Sequence, residues 1–143
     1  MARIKYESQD NLRQEKNVLR HMSVKWDVSY SKLPISYKLD YAMYRNEKLC
    51  GFAEVKCRIF PHDQYKTMFV GLNKVQKARE LYNLTKKRVV LLVSWQDVMG
   101  YIDFNEEFEL GLGGRKDRGD VNDFGLIAHY PLDKFKILGS SPV

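Results

Sequence analysis

An α/β sandwich built on a mixed sheet is the fold the sequence predicts, and three observations predict it. Two helix-period segments, Asp10 to Met22 and Asn73 to Leu84, bracket two β-rich runs, Ile35 to Tyr44 and Leu49 to Arg58. An apolar run of seven residues, Val89 to Trp95, follows the second helix and reads as a buried strand. A chain of 143 residues with 44% hydrophobic content can bury one core but not two comfortable ones. One domain over 1–143 is therefore expected, with its core between 8 and 104. The order α-β-β-α-β-β lets the strand after the second helix lie parallel to one of the first strands through a right-handed crossover.

The first helix, DNLRQEKNVLRHM, takes Ser8 or Asp10 as N-cap and turns Leu12, Val18, Leu19 and Met22 inward. Glu15 breaks this stripe, because it lies three residues after Leu12 and four before Leu19. A carboxylate pointing inward needs a partner or a metal. The two β-rich runs are separated by Arg45-Asn46-Glu47-Lys48, which suggests an antiparallel hairpin. Strand alternation puts Asp40 with Ala42 and Tyr44 on one face. It puts Phe52, Glu54, Lys56 and Arg58 on another, opposite Ala53, Val55 and Cys57. Asp40 and Glu54 meet only if the numbers of opposed residues sum to an even number, for instance Arg45 opposite Leu49, which predicts an odd-length loop such as Asn46 to Lys48, or a bulge.

After Pro61 a loop leads to Asn73, read as an N-cap opening a helix whose Val75, Ala78, Leu81 and Tyr82 are buried. The strand from Arg88 to Trp95 pairs with Met99 to Phe104 across a turn at Gln96-Asp97. From Gly111 to Asp120 the chain reads as a glycine-rich charged loop rather than a regular element. A strand over Gly125 to Tyr130 and a short terminal element from Pro131 to Leu138 complete the 111–143 segment.

Composition excludes several classes of function. No stretch approaches the roughly 18 apolar residues of a membrane span. The N-terminus lacks an apolar signal region, so an intracellular, cytoplasmic site is expected and a membrane partner is not. Cys50, Cys57 and the histidines His21, His62 and His129 lack the paired spacing of a zinc site. Lys and Arg exceed Asp and Glu by 24 to 18, and the excess lies in the first hundred residues: twelve against seven to Phe60, seven against three to Gly100, five against eight thereafter. That balance suits an anionic partner, with nucleic acid foremost, or an ordinary solvated basic surface.

Chemistry concentrates in Asp40 and Glu54-Val55-Lys56, with Glu15 upstream. Two carboxylates from adjacent strands can hold a hard divalent ion, and Mg²⁺ tolerates so sparse a shell because it keeps waters and takes a phosphate oxygen. Lys56, two residues after Glu54, shares its face and can orient a metal-bound water or neutralise charge on a phosphate. The arrangement suits hydrolysis of a phosphodiester.

The segment LDYAMYRNEKLCGFAEVKCR, Leu39 to Arg58, resembles the signature of the PD-(D/E)xK superfamily of metal-dependent nucleases: an acid, a hairpin, then acid-x-lysine in a strand. The resemblance implies a restriction-endonuclease-like α-β-β-α-β core with a mixed central sheet flanked by helices. It implies Asp40 and Glu54 as metal ligands with the Val55 carbonyl as a third, Lys56 as catalytic lysine, and Mg²⁺ as cofactor with Mn²⁺ as substitute. Glu15 is similar to the helix acid of the branch containing Holliday-junction resolvases, and would complete the catalytic set. The proline of the family's name is replaced by Leu39. The run GLGGRKDRGDVND also resembles small phage-encoded members, for which cytoplasmic would mean the host's cytoplasm.

The expected activity is a metal-dependent DNA endonuclease selective for branched DNA and acting as a homodimer. Lys74, Gln76, Lys77 and Arg79 on the second helix, with Arg115, Lys116 and Arg118 in the glycine-rich loop, are the candidate DNA contacts. Each has a plainer alternative: Gln76 as partner of an Asn73 cap, the helix cations as a solvated face, the loop cations as salt-bridged to Asp117, Asp120 and Asp123. Tyr37, Tyr41, Tyr44 and Tyr65 either stack bases or belong to the core and sheet. The competing class is a non-catalytic nucleic-acid-binding or assembly protein whose acids form structural ion pairs.

Overall fold

The computed structural model describes residues 9–34, 39–114 and 124–141. Its elements are α1 (Gln9–Trp26), β1 (Ser29–Lys32), β2 (Tyr41–Arg45), β3 (Lys48–Cys57), β4 (Thr67–Gly71), α2 (Leu72–Thr85), β5 (Arg88–Ser94), β6 (Val98–Asp103), β7 (Glu109–Gly114), β8 (Phe124–Pro131), a 3-10 turn (Leu132–Lys134) and β9 (Lys136–Ser140). A six-stranded sheet runs β1-β2-β3-β5-β6-β9, and a three-stranded sheet runs β4-β8-β7. The six-stranded sheet is mixed: β3 and β5 are parallel, joined through α2, and its other pairs are antiparallel. No helix among the described residues is long and apolar enough to cross a membrane.

Alternation divides the apolar residues between two cores, one on each side of the large sheet. Val18, Leu19 and Met22 of α1 pack against Tyr41, Met43, Ala53, Val55, Val90 and Leu92. On the other side Val75 and Ala78 of α2, with Met68, Val70, Ala128 and Tyr130 of the small sheet, cover Phe52, Val89, Leu91 and Val93. Continuous burial from Val89 to Ser94 is what a strand covered on both faces requires.

Several boundaries differ from expectation. Helix α1 runs four residues past Met22, and Asp10 lies inside it rather than at its cap; Ser8 lies outside the described residues. Strand β1, exposed at most of its four positions, carries no apolar pattern to find. Strand β4 runs straight into α2, so Gly71 is the N-cap and Asn73 is the second helical residue. A Cβ on Gly71 would stand 2.7 Å from Asn73 Oδ1, so glycine makes room for the side chain at this junction. The Asn73–Gln76 capping box does not form, because no side chain caps this helix. Gly111 to Gly114 are strand, not loop, since pairing with β8 overrides glycine's weak strand preference.

The β2–β3 hairpin sets the register of the site. Asn46 and Glu47 both have positive φ, 52° and 64°, the backbone of a two-residue type I′ turn that pairs Arg45 with Lys48. Continued without interruption, that register would put Asp40 opposite Ala53, with its side chain on the α1 side. Instead Cys50 is bulged out: Tyr44 pairs with Leu49 and Met43 with Gly51. The pairing then reaches Tyr41 opposite Ala53, and its next step sets Asp40 beside Glu54. Beside the bulge, a Cβ on Gly51 would fall 2.7 Å from the Arg88 carbonyl oxygen, so only glycine lets β3 and β5 approach this closely.

Candidate functional site

Asp40 stands at the mouth of β2. Its Oδ2 accepts the Val55 N–H at 2.9 Å, while its own carbonyl accepts the Leu33 N–H at 2.8 Å. These bonds pin the backbone and one carboxylate oxygen, which orients the other. Glu54, in the middle of β3, is 1% exposed, yet its carboxylate lies among charges. Lys56 Nζ is 3.3 Å from Oε2, and Lys74 Nζ of α2 is 3.3 Å from Oε1. Glu54 Oε1 is buried and accepts no hydrogen bond, so Lys74 balances its charge without a directed bond. Burial pushes the Glu54 carboxyl above its ordinary range, Asp40 adds to the push, and the two lysines oppose it.

Glu15 approaches from the α1 side. Its Oε2 accepts the Tyr41 hydroxyl at 2.8 Å and lies 3.8 Å from Lys32 Nζ. The inward acid has therefore found its partners on β1 and β2. Burial, then the negative charges of Glu15 and Asp40, push the Cys57 thiol up to about 11 against Arg58 and Lys56. Both acids thus bear on Cys57 at one end of the sheet.

The structure gathers Asp40, Glu54, Val55, Lys56 and Lys74, and sets Glu15 nearby. Among the described residues it does not gather the rest. Gln76 is exposed on α2. Lys77 Nζ pairs with Glu80 at 3.4 Å. Arg79 bonds the Phe104 and Glu106 carbonyls at 3.3 and 3.1 Å and stacks over Phe108, so it ties α2 to the β6–β7 connection. Arg115, Lys116 and Arg118 lie outside the described residues, as does Tyr37. Tyr41 is buried, Tyr44 is half-buried beside Ser31, and Tyr65 is exposed with its edge on Phe60.

Two features escaped the sequence. One is that Lys74, a candidate DNA contact, also faces Glu54; a lysine in a helix's first turn, where the dipole disfavours cations, was the available signal. The second is a group of His62, Asp63 and Asp97, whose ligand atoms lie within 4.8 Å of one another and which can hold a metal ion. His62 donates its N–H to Asp97 Oδ1 at 2.9 Å, and its Nδ1 is 2.7 Å from Oδ2. Thirty-five residues separate the two, so no local motif marks them.

The donors at the main site fit a hard divalent cation. Asp40, Glu54 and the Val55 carbonyl offer only oxygen, and a buried carboxylate oxygen without a hydrogen bond is a place for a ligand rather than for water.

Comparison with known proteins bears on both fold and family. No curated protein matches the sequence. A solved structure of Hjc, a Holliday junction resolvase from the archaeal hyperthermophile Archaeoglobus fulgidus, is similar with a TM-score of 0.55 and 10% identity, over 71% of this chain and 80% of that one. At that identity the likeness speaks for the fold: a mixed central sheet with two helices, restriction-endonuclease-like. The family described as "Phage putative PDDEXK endonuclease" matches residues 1–138, the acid-hairpin-acid-x-lysine segment among them, and the chain belongs to that endonuclease family.

Proposed function

We propose that this protein is a divalent-metal-dependent endonuclease that hydrolyses phosphodiester bonds of branched DNA. The observation that carries the reading is Glu54: a 1% exposed carboxylate with an oxygen that accepts no hydrogen bond, beside Asp40 and between two lysines. Burying such a charge is costly, and apolar residues of similar volume are often as stable or more so. Its presence in the otherwise apolar buried run from Gly51 to Val55 supports a catalytic task.

Asp40, Glu54 and the Val55 carbonyl would hold the ion, Mg²⁺ or Mn²⁺. When bound, the ion lowers the pKa of a coordinated water and neutralises charge on the phosphate. The chain's own groups do the rest. The Val55 N–H orients Asp40. Lys56, about a third exposed, favours the ionised form of Glu54 against the push of burial and would offer its ammonium to the phosphate. Glu15, held by Tyr41, adds negative charge nearby. Lys74 and Lys77, with Gln76 and the cations at Arg115 and Arg118, are our candidates for the DNA backbone; Arg79 is occupied by carbonyls. We take residues 1–143 as one nuclease domain acting in the cytoplasm. We also read it as a homodimer, in which two sites would cut two strands. We place that contact at β7, an edge strand among the described residues with Leu110 and Leu112 exposed.

The test is cleavage of labelled linear duplex, single-stranded, flap and four-way-junction DNA with Mg²⁺ or Mn²⁺, comparing wild type, Asp40→Ala and Lys56→Ala. Both variants are expected to lose about a thousandfold in rate, about 4 kcal/mol of transition-state stabilisation. Binding of the panel without cutting in either metal would instead leave a nucleic-acid-binding module.

A further inference from the structure

We propose that Lys74 is a displaceable counter-ion, which stands beside Glu54 in the metal-free protein and yields that position to the divalent cation. The proposal rests on the metal-dependent reading of the site given above. Three observations lead to it. Lys74 is the third residue of α2, in the first turn, at the positive end of the helix dipole, and no acid in that turn balances it. An acid that faces it lies across the layer interface: Glu54 Oε1 is 3.3 Å away. That oxygen accepts no hydrogen bond, so the contact is an attraction of charges without directional lock.

The two lysines at Glu54 differ in attachment. Lys56 is on the same strand and meets Oε2, whereas Lys74 reaches from a separate element and meets Oε1, the oxygen with no hydrogen bond. The Lys74 side chain is 27% exposed, so its ammonium can turn toward solvent or a phosphate when a dication arrives. A dication has the stronger attraction for a buried carboxylate, and Oε1 can serve only one of the two cations at close range. Lys74 thus stands in for the cation at Oε1 while no metal is bound, and competes with the metal for that oxygen. It is a positioning residue, acting through Glu54.

The test is calorimetric titration of Mn²⁺ alone, without DNA, into the full chain at pH 8. Lys74→Met is expected to bind Mn²⁺ about tenfold more tightly than wild type, because the ion no longer competes with an ammonium for Oε1. Lys74→Gln, which keeps a polar side chain without the charge, should do the same if the Met variant folds poorly. Lys87→Met removes an exposed cation just beyond the far end of α2, and should leave the affinity unchanged. Unchanged or weaker Mn²⁺ binding in both Lys74 variants overturns the proposal and makes Lys74 a fixed ion pair. Asp40→Asn separates the two levels of argument, and also excludes binding at His62, Asp63 and Asp97. If wild-type binding does not depend on Asp40, the metal-site reading fails and this inference with it. If it depends on Asp40 but is indifferent to Lys74, this inference alone fails.

Discussion

Along β3 the side chains that face α1 are Ala53, Val55 and Cys57, while those that face α2 are Phe52, Glu54 and Lys56. The first set meets Val18, Leu19, Met22 and Leu92, and gains by removing apolar area from water. The second begins as core at Phe52 and two residues later buries a carboxylate at 1% exposure. One strand therefore carries a face that holds the fold and a face that strains it, and the first makes the second affordable. The α1 face should answer to mutation in stability, and the α2 face in activity.

The largest effects come from breaking one face at a time. Leu19→Ala, at a fully buried position against the α1 face, should cost about 3 kcal/mol of stability and leave cleavage per folded molecule near wild type. Glu54→Gln should do the opposite: cleavage falls by about a thousandfold, while the melting temperature holds or rises, since a neutral amide is cheaper to bury than a carboxylate. Thermal melts and single-turnover cleavage on the same preparations decide it. A Glu54→Gln protein that melts as early as Leu19→Ala would erase the contrast and make Glu54 part of the scaffold.

The α1 face was almost fully legible in the sequence, because Val18, Leu19 and Met22 recur at helical spacing and β5 is an uninterrupted apolar run. The acid pair was legible as types and spacing, and its condition could be stated: a two-residue turn and a shared face are compatible only with a bulge. That Cys50 supplies the bulge could not be read, since the choice depends on Gly51 packing against the Arg88 carbonyl of a strand 37 residues away. The small sheet was harder. Strand β4 is five residues between loop signals, and β7 is half glycine; each is strand because β8 pairs with it. Arg79 is indistinguishable in sequence from Lys77, and only the β6–β7 connection at Phe104 and Glu106 turns it from a candidate DNA contact into a structural tie.

A milder break concerns the outer layer on the α2 side. Tyr130 is buried in the small sheet, donates its hydroxyl to the Phe104 carbonyl at 2.8 Å and packs against the Phe104 and Phe108 rings. Burial pushes its phenol up to about 12, against the influence of Arg79. The folded state disfavours the phenolate, so Tyr130's contribution is intact below about pH 10, the ordinary value for a tyrosine, and is lost as pH rises toward 12. Tyr130→Phe should cost about 1 kcal/mol at neutral pH through the lost hydrogen bond, and its stability should fall less steeply than wild type above pH 10. Parallel slopes in urea melts from pH 9 to 11.5 would mean that the phenol ionises in the folded layer. The α2 side would then be open at its outer sheet as well as at the site.

The smallest effect sharpens the contrast at the far end of the hairpin. Glu47, exposed and at φ 64°, holds the second position of a turn that favours glycine. Glu47→Gly relieves a left-handed backbone worth about 1 kcal/mol and gives back part of it as chain entropy, for a net gain of about 0.5 kcal/mol. The turn fixes one register and the bulge at Cys50 converts it to another, so turn and site are separated by the irregularity that aligns Asp40 with Glu54. If the bulge is set by Gly51 against β5, easing the turn should raise the melting temperature by a degree or two and leave cleavage unchanged. A tenfold loss of cleavage at higher stability would show that the turn holds the bulge in place. The acid pair would then depend on the strain in Glu47 rather than on the packing of Gly51.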